Sequence, residues 1–292
     1  MKLSDAFPET TSIVRDGIFL SAGTLYSHHP SQIVYLTRKN DIPKILQNPS
    51  ISCVIITPDL VSGIPENIGI ATAEDPRHAF FILQSALSHD PQFALPPFAN
   101  RISQSAKIHP SAKIAPNSVA VGKDVIIEKN VVIHEQSIFD EGTIVRSNSI
   151  IGDDQYLSGA LLGASGIRCS GGVHLHRETD IHANTRINRA FFKGYTEIGE
   201  QTKIDNLDAV GQGTIIGKRC LICAGVTIGE LVRIGDDIWI GPNVTVESQV
   251  SVGNNVYITL GSTVRYDIED DKVVKDNFAI DRKRFRKVMR GM

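Results

Sequence analysis

The chain has 292 residues, 41% of them apolar, and a formal net charge of −2. This length favours two domains over one, and the composition excludes a disordered or collagen-like chain. The balanced charge gives no general attraction to nucleic acid or to an anionic membrane. Four cysteines are too few for a disulfide scaffold, and no apolar run has the length of a membrane span or the pattern of a secretory signal. We therefore expect a soluble cytoplasmic protein.

Residues 1–98 predict a small α/β domain, because short apolar runs alternate with helical patterns. Asp75-Pro76 before an amphipathic run is a standard helix start. The proline-containing segment 92–100 is the predicted linker to the next domain. We expect strands at 33–36, 53–56 and 68–71, and helices at 42–46 and 78–87.

From residue 198 onward, an aliphatic β-branched residue occupies every sixth position. Neither a helix nor a simple alternating strand has this period, so the chain must turn every six residues. The pattern predicts a left-handed parallel β-helix of hexapeptide repeats, with about 18 residues in each triangular coil. The series is Ile198, Ile204, Val210, Ile216, Ile222, Ile228, Ile234, Ile240, Val246, Val252, Ile258 and Val264.

Two further positions of the repeat have a defined character. The residue after the aliphatic one is often glycine, as at Gly199 and Gly217, and we expect it to adopt a positive φ in the turn. The second residue before the aliphatic one is small or β-branched, as at Thr202 and Cys220. We expect it to line the interior of the coil.

The same repeat occurs earlier in the chain, so the predicted β-helix covers residues 99–266. It is interrupted at residues 152–172, a Gly- and Ser-rich segment that predicts an inserted loop. A smaller irregularity lies at 189–197, where a step of eleven residues replaces one of twelve. Departures of this kind are where functional sites usually lie.

Residues 267–292 are predicted to form a basic C-terminal helix or tail. Six positive charges fall within nine residues there, at Arg282, Lys283, Arg284, Arg286, Lys287 and Arg290. One interpretation is docking of an acidic protein or a phosphorylated ligand by charge. The other is a solvated helix end without a partner.

The order of these parts resembles the UDP-3-O-acylglucosamine N-acyltransferase (LpxD) family. The resemblance rests on three segments, which are Gly163-Ala164-Ser165-Gly166, Thr185-Arg186-Ile187-Asn188-Arg189 and Ile204-Asp205-Asn206. It implies a homotrimer that holds an acyl chain between subunits and a first domain that binds uridine, with Tyr35 stacking on uracil. It also implies substrate contacts at Ser165, Asp205 and Asn206, and docking of acyl carrier protein on Arg284, Arg286 and Lys287.

The chain departs from that family at three places. The resemblance implies a catalytic histidine where this chain has Gln212, and a second histidine where it has Gln249. A glutamine side chain cannot take a proton from an amine. A second aromatic residue shortly after Tyr35 is also absent, since Arg38-Lys39-Asn40-Asp41 occupies that segment.

Acyl transfer to an amine needs a base, a donor for the thioester oxyanion and a slot for the thioester arm. His174, His176 and His182 are the candidate bases, because imidazole titrates near neutral pH. Asp180 or Glu178 is a candidate to orient one of them. The backbone amides of Gly211, Gly213 and Gly225 are candidate oxyanion donors or contacts for the donor arm.

No metal site is predicted from the cysteine pair. Cys220 and Cys223 form a CxxC, but both fall on positions of the repeat and no second ligand pair lies nearby in the sequence. We also expect no tightly bound cofactor, with acyl carrier protein or coenzyme A carrying the acyl group as a co-substrate.

The leading hypothesis is a homotrimeric acyltransferase that acts on an amino sugar carried by a nucleotide. A second hypothesis is a non-catalytic relative that keeps the trimer and ligand binding, which the two glutamines favour. A third is an acetyl-CoA-dependent acetyltransferase for sugars of surface polysaccharides.

Overall fold

The structure is a computed structural model that describes residues 1–7, 12–27, 29–154 and 169–275. Its N-terminal part is a small α/β domain with one five-stranded sheet. The strands are β1 (Ser12–Arg15), β2 (Ser21–Ala22), β3 (Gln32–Leu36), β4 (Ile51–Ile56) and β5 (Gly69–Thr72). The helices are α1 (Leu3–Ala6), α2 (Ile42–Gln47) and α3 (Pro76–Leu87), with 3-10 turns at Lys39–Asp41 and Pro58–Gly63.

This sheet has the order β1-β5-β4-β3-β2, and only β1 runs antiparallel to its neighbour. Helix α3 begins as predicted, because the Asp75 side chain accepts a hydrogen bond from the amide of His78 at 2.9 Å. Its apolar face, with Phe80 and Phe81, is buried against the sheet. The predicted α/β character of this region is confirmed.

From Arg101 onward the described chain is a coil of short strands in three parallel sheets. Sheet 1 contains Arg101–Ile102, Val119–Val121, Ser137–Phe139, Gly172–Leu175, Tyr195–Ile198, Ile215–Ile216, Arg233–Ile234 and Ser251–Val252. Sheet 2 contains Lys107–Ile108, Ile126–Ile127, Ile144–Val145, Asp180–Ile181, Lys203–Ile204, Leu221–Ile222, Trp239–Ile240, Tyr257–Ile258 and Val273–Val274. Sheet 3 contains Lys113–Ile114, Val132–Ile133, Ile150–Asp153, Arg186–Asn188, Ala209–Val210, Thr227–Ile228, Thr245–Val246 and Thr263–Val264.

The interior of the coil is built as the repeat predicts. Every aliphatic residue of the series from Ile198 to Val264 is buried, and so are the small residues two positions earlier, such as Thr202 and Cys220. Ile198, Ile216 and Ile234 stack on one another as successive partners in sheet 1. The predicted left-handed parallel β-helix is confirmed.

The predicted role of the glycines is wrong in its detail. Positive φ values fall two residues later than expected, for example at Gly213 (φ 67°), Leu207 (φ 66°) and Asn243 (φ 56°). Gly217 is required for a different reason, because a Cβ atom there would collide with the carbonyl oxygen of Gly235 on the next coil. The repeated glycine therefore permits close packing of successive coils.

The irregular segment 189–197 attaches the first domain to the coil. Phe191 and Phe192 are buried in the core cluster of the α/β domain, where their rings lie 5.6 Å from Phe81 and 6.0 Å from Phe80. The Gln84 side chain of α3 donates a hydrogen bond to the Phe191 carbonyl at 3.3 Å. The step of eleven residues therefore marks the place where the chain departs from the repeat and two aromatic rings are buried against α3.

Each coil turns at three corners. Corner A follows the strands of sheet 1, corner B those of sheet 2 and corner C those of sheet 3, and they include residues 176–179, 182–185 and 211–214 respectively. Among the residues that the structure describes, none of the helices has both the length and the apolar character that crossing a bilayer requires.

Candidate functional site

Corner B places His182 between two carboxylates. Its Nε2 lies 3.5 Å from Oδ2 of Asp180, and its Nδ1 lies 3.7 Å from Oδ1 of Asp205. Asp180 is also held by Arg146 in a bidentate pair at 2.9 and 2.7 Å. The His182 side chain is one-third exposed, so a small molecule can reach the imidazole while its orientation is held from both sides.

Asp205 and Asn206 support the same corner. The Asp205 carboxylate accepts hydrogen bonds from the backbone and side-chain amides of Asn206 at 2.8 and 2.6 Å. The Asn206 side-chain oxygen in turn accepts from the amide of Ala183 at 3.2 Å. Two predicted substrate contacts therefore lie beside His182, with part of their hydrogen-bonding capacity already used within the coil.

A buried carboxyl group lies behind this corner, and sequence reasoning missed it. Asp208 occupies an interior position of the repeat and is 3% exposed. Its Oδ1 accepts a hydrogen bond from the amide of Val226 at 2.6 Å, whereas its buried Oδ2 has no hydrogen-bond partner. Burial raises the pKa of Asp208 to about 8. The signal in the sequence was an acid at a position that otherwise holds small or β-branched residues.

Corner A brings together the other two candidate bases. His174 and His176 stack with ring centroids 4.0 Å apart, and both face Asp140. The Nε2 of His176 lies 3.1 Å from a carboxylate oxygen of Glu197. Glu178, one of the two predicted orienting acids, pairs instead with Arg177 and Gln201. The three histidines predicted as alternatives thus divide into two separate groups.

Gln212 lies at corner C and is only 4% exposed. The Sγ of Cys169 lies 4.0 Å from its side-chain oxygen. The structure therefore places Gln212 on a different corner from all three candidate histidines, and none of them occupies the position that the family resemblance assigns to the base. Cys220 is buried, and burial raises the pKa of its thiol to about 11.

The three glycine amides proposed for the donor are already engaged. The amide of Gly211 donates to the Ile228 carbonyl at 2.8 Å, and that of Gly225 donates to the Asn206 carbonyl at 3.1 Å. The amide of Gly213 donates to the Thr196 hydroxyl at 2.8 Å. An oxyanion would have to displace these hydrogen bonds. Of the two roles predicted for these glycines, contact with the donor arm is the one that needs no free amide.

The α/β domain carries a cavity of about 350 Å³ that also borders corner C. Tyr35 lines it and packs its ring against Phe80 at 5.2 Å between centroids. Tyr26 lines it as well, and the Lys44 ammonium lies 4.7 Å from its ring centroid. The second aromatic residue was expected shortly after Tyr35 in the chain, whereas Tyr26 precedes Tyr35. The other polar lining residues include Arg38, Asp41, Arg77 and Gln249.

The cavity and His182 do not meet within one chain. Gln249 follows the seventh strand of sheet 3 and His182 follows the fourth strand of sheet 2, so three coils separate them. With about 4.8 Å per coil, this is about 14 Å along the axis, in addition to the step from corner C to corner B. The predicted sites at Ser165, Arg284, Arg286 and Lys287 lie outside the described residues.

The curated relatives are similar over short segments. A UDP-3-O-acylglucosamine N-acyltransferase of Oleidesulfovibrio alaskensis is 50% identical over 58 residues, which are 20% of this chain and 17% of that protein. The enzyme of the same name from Methylorubrum extorquens is 38% identical over 81 residues, 27% of this chain and 22% of that protein. The matches thus span about a fifth of the length of these relatives.

A solved UDP-N-acetylglucosamine acyltransferase from Campylobacter jejuni is 18% identical, with a TM-score of 0.44, over 65% of this chain and 82% of that one. No family model matches the chain. Over a fifth to a quarter of its length, the chain is therefore similar to curated UDP-3-O-acylglucosamine N-acyltransferases.

Proposed function

We propose that this protein is an acyltransferase that moves an acyl group from a thioester to an amino sugar carried on a nucleotide. The observation that carries the proposal is the cavity of the α/β domain, which combines two tyrosines with three cationic side chains beside the β-helix. A nucleoside diphosphate presents an aromatic base and two phosphates, so it fits such a lining. The local similarity to UDP-3-O-acylglucosamine N-acyltransferases supports the same substrate class.

In this proposal the uracil ring lies against Tyr35 or Tyr26, and Arg38, Lys44 and Arg77 neutralise the diphosphate. The Tyr35 ring is supported by Phe80 and Phe81, so stacking requires little loss of side-chain entropy. Asp41 contacts Lys44 at 2.7 Å, and a phosphate would compete for that ammonium. The cavity thus suits an anion that brings its own aromatic group.

His182 is the proposed base. It takes a proton from the acceptor ammonium, and the neutral amine then attacks the thioester carbonyl carbon. The C–S bond breaks as the amide forms, the amide nitrogen releases its surplus proton to water, and the departing thiolate receives the proton that the imidazolium holds. Asp180 and Asp205 each lie within 3.7 Å of a ring nitrogen and keep the imidazole oriented for the proton transfer.

A second copy of the chain completes the proposed site. The nucleotide cavity and His182 lie on different corners and three coils apart, whereas three flat sheet faces allow a closed trimer in which a corner faces a neighbouring copy. The proposed acyl donor is acyl carrier protein or acyl-CoA, with the basic residues Arg284, Arg286 and Lys287 as the proposed contacts for an acidic carrier. Light scattering should then give about three times the 31.9 kDa of one chain.

The test measures nucleotide binding and thiol release separately. Calorimetry with UDP should show binding that Arg38→Ala weakens at least about tenfold, since it removes a charged hydrogen-bond donor, while Lys39→Ala, whose side chain does not line the cavity, serves as the matched control. Thiol release from acyl carrier protein or CoA thioesters with a UDP-amino sugar should fall at least about 100-fold in His182→Ala.

His134→Ala is the control for the base. His134 faces Asp153 at 3.7 Å on corner C, so it matches His182 in chemistry and differs in place. Equal rates for His182→Ala and the unmodified protein would overturn the assignment of the base. Absence of UDP binding would overturn the assignment of the cavity.

The buried Gln212 favours one other function, a trimeric relative that binds the nucleotide sugar without transferring an acyl group. Gln212 lies where the resemblance to the UDP-3-O-acylglucosamine N-acyltransferase family implies a catalytic histidine. The side-chain amide of glutamine cannot serve as a base. UDP binding without thiol release from any acyl donor would support this alternative over the enzyme.

A further inference from the structure

We propose that Asp140, His174 and His176 bind a divalent transition metal, with Zn²⁺ as the best fit. The three side chains converge at corner A, and one ligand atom from each lies within 4.8 Å of the others. Two imidazoles and one carboxylate are a common ligand set for zinc. This inference is independent of the proposed acyl transfer, and it assigns His174 and His176 a role that leaves His182 as the base.

The distances between the ligand atoms fit a metal at their centre. Asp140 Oδ2 lies 3.0 Å from His174 Nε2 and 3.6 Å from His176 Nδ1. Metal–ligand bonds of about 2.0–2.1 Å place neighbouring ligand atoms about 2.9 Å apart at a right angle and about 3.4 Å apart at the tetrahedral angle. The ring nitrogens of His174 and His176 lie within 4.8 Å of each other, and rotation of the two stacked rings brings their in-plane lone pairs onto one metal.

Hydrogen bonding alone accounts poorly for this cluster. The His174 Nε2 is buried and makes no aligned hydrogen bond, although Asp140 is 3.0 Å away. A doubly charged pair would place two like charges in rings stacked at 4.0 Å, where they repel each other. A divalent cation satisfies the carboxylate and both neutral rings together.

Glu197 supplies the supporting contact that such a site needs. The Nε2–H of His176 donates to the Glu197 carboxylate at 3.1 Å, which leaves the Nδ1 lone pair directed towards Asp140. The β-sheet register fixes this arrangement, because His174 and Glu197 are direct partners on adjacent strands of sheet 1. The ligands are therefore held on a rigid frame before any metal arrives.

The site is open to a cavity on one side, and its ligands come from two adjacent coils. Asp140, His176 and Glu197 also line a cavity of about 480 Å³, so a water molecule can fill the remaining coordination position. Asp140 follows the strand Ser137–Phe139, and the histidines belong to the strand paired with it, Gly172–Leu175, and to its turn. The metal would join two coils across the point where residues 152–172 interrupt the repeat.

The experiment titrates Zn²⁺ into tag-free, metal-stripped protein and measures binding by calorimetry and the melting temperature by thermal scanning. We expect about one Zn²⁺ per chain and a rise in the melting temperature of several degrees at saturating zinc. His174→Ala and His176→Ala should each weaken binding at least about 100-fold, and Glu197→Ala about tenfold, because Glu197 only orients His176.

His134→Ala is the matched control, since it removes an imidazole that faces Asp153 on another corner. It should leave zinc binding and the zinc-induced shift unchanged. The proposal is overturned if the unmodified protein does not bind zinc, or if His174→Ala and His176→Ala bind it as tightly as His134→Ala. A folded state with unchanged circular dichroism in each variant excludes loss of structure as the cause.

Discussion

The middle coils, over residues 127–188, and the later coils, over residues 198–253, differ at one position of the repeat. It is the residue directly after the inward aliphatic one. In the middle coils it is mostly titratable, at Glu128, His134, Asp140, Arg146, His176 and His182, whereas in the later coils it is mostly glycine, at Gly199, Gly211, Gly217, Gly229, Gly235, Gly241 and Gly253. The same position of the β-helix thus carries titratable side chains in one region and glycines in the other.

Glycine marks corners where the next coil leaves no room for a Cβ atom. Charged residues mark corners where a side chain reaches a partner on the neighbouring coil, as Arg146 reaches Asp180 and His182 reaches Asp205. The boundary between the two regions is the segment that anchors the α/β domain through Phe191 and Phe192. The difference teaches that titratable side chains are concentrated in the middle coils and close packing of successive coils in the later ones.

The largest expected effect concerns Asp208, an acid buried inside the later coils at a different position of the repeat, two residues before the aliphatic one. Because its folded pKa of about 8 is above the unfolded value, its contribution to stability is fully present below pH 4 and is lost as the pH rises to 8. That shift corresponds to a loss on the order of 5 kcal/mol. Asp208→Asn should remove this part of the pH dependence in denaturant unfolding measured from pH 4 to 8.

Thr214→Val is the control for that measurement, because Thr214 is buried at the same position of the repeat and carries no titratable group. It should unfold with the pH dependence of the unmodified protein. If Asp208→Asn also kept that pH dependence, the carboxyl group would be solvated, and the interior of the later coils would hold no buried acid at this position.

The next effect tests the boundary between the regions. Phe192→Ala removes a buried ring that contacts Phe80 of α3 and should lower the free energy of unfolding of the α/β domain by about 3 kcal/mol. UDP binding should weaken, while the β-sheet signal of the coil in circular dichroism persists. Leu207→Ala is the control, since Leu207 is 67% exposed. Loss of the coil signal together with the domain would show that the two parts fold as one unit.

The coil was predictable from sequence because its contacts repeat at fixed spacing. An inward residue such as Ile216 packs between the equivalent residues of the coils before and after it, Ile198 and Ile234. Periodicity alone therefore specifies its burial. Tyr26 and Gln249 meet in one cavity only through the placement of the α/β domain, and no spacing in the chain encodes that contact. The histidines were found by residue type, and the spacing of six residues between His176 and His182 already places them at successive corners.

The smallest expected effect concerns the glycines themselves. Gly217→Ala places a Cβ atom against the carbonyl oxygen of Gly235, and relieving this overlap must separate two coils at a cost of about 1–3 kcal/mol. Gly213→Asn is the matched control, because Gly213 has φ 67°, which asparagine tolerates, and its nearest neighbour is the flexible side chain of Leu231. Denaturant unfolding should rank Gly217→Ala as the less stable variant. The reverse order would mean that backbone conformation, and not the approach of successive coils, selects glycine in this region.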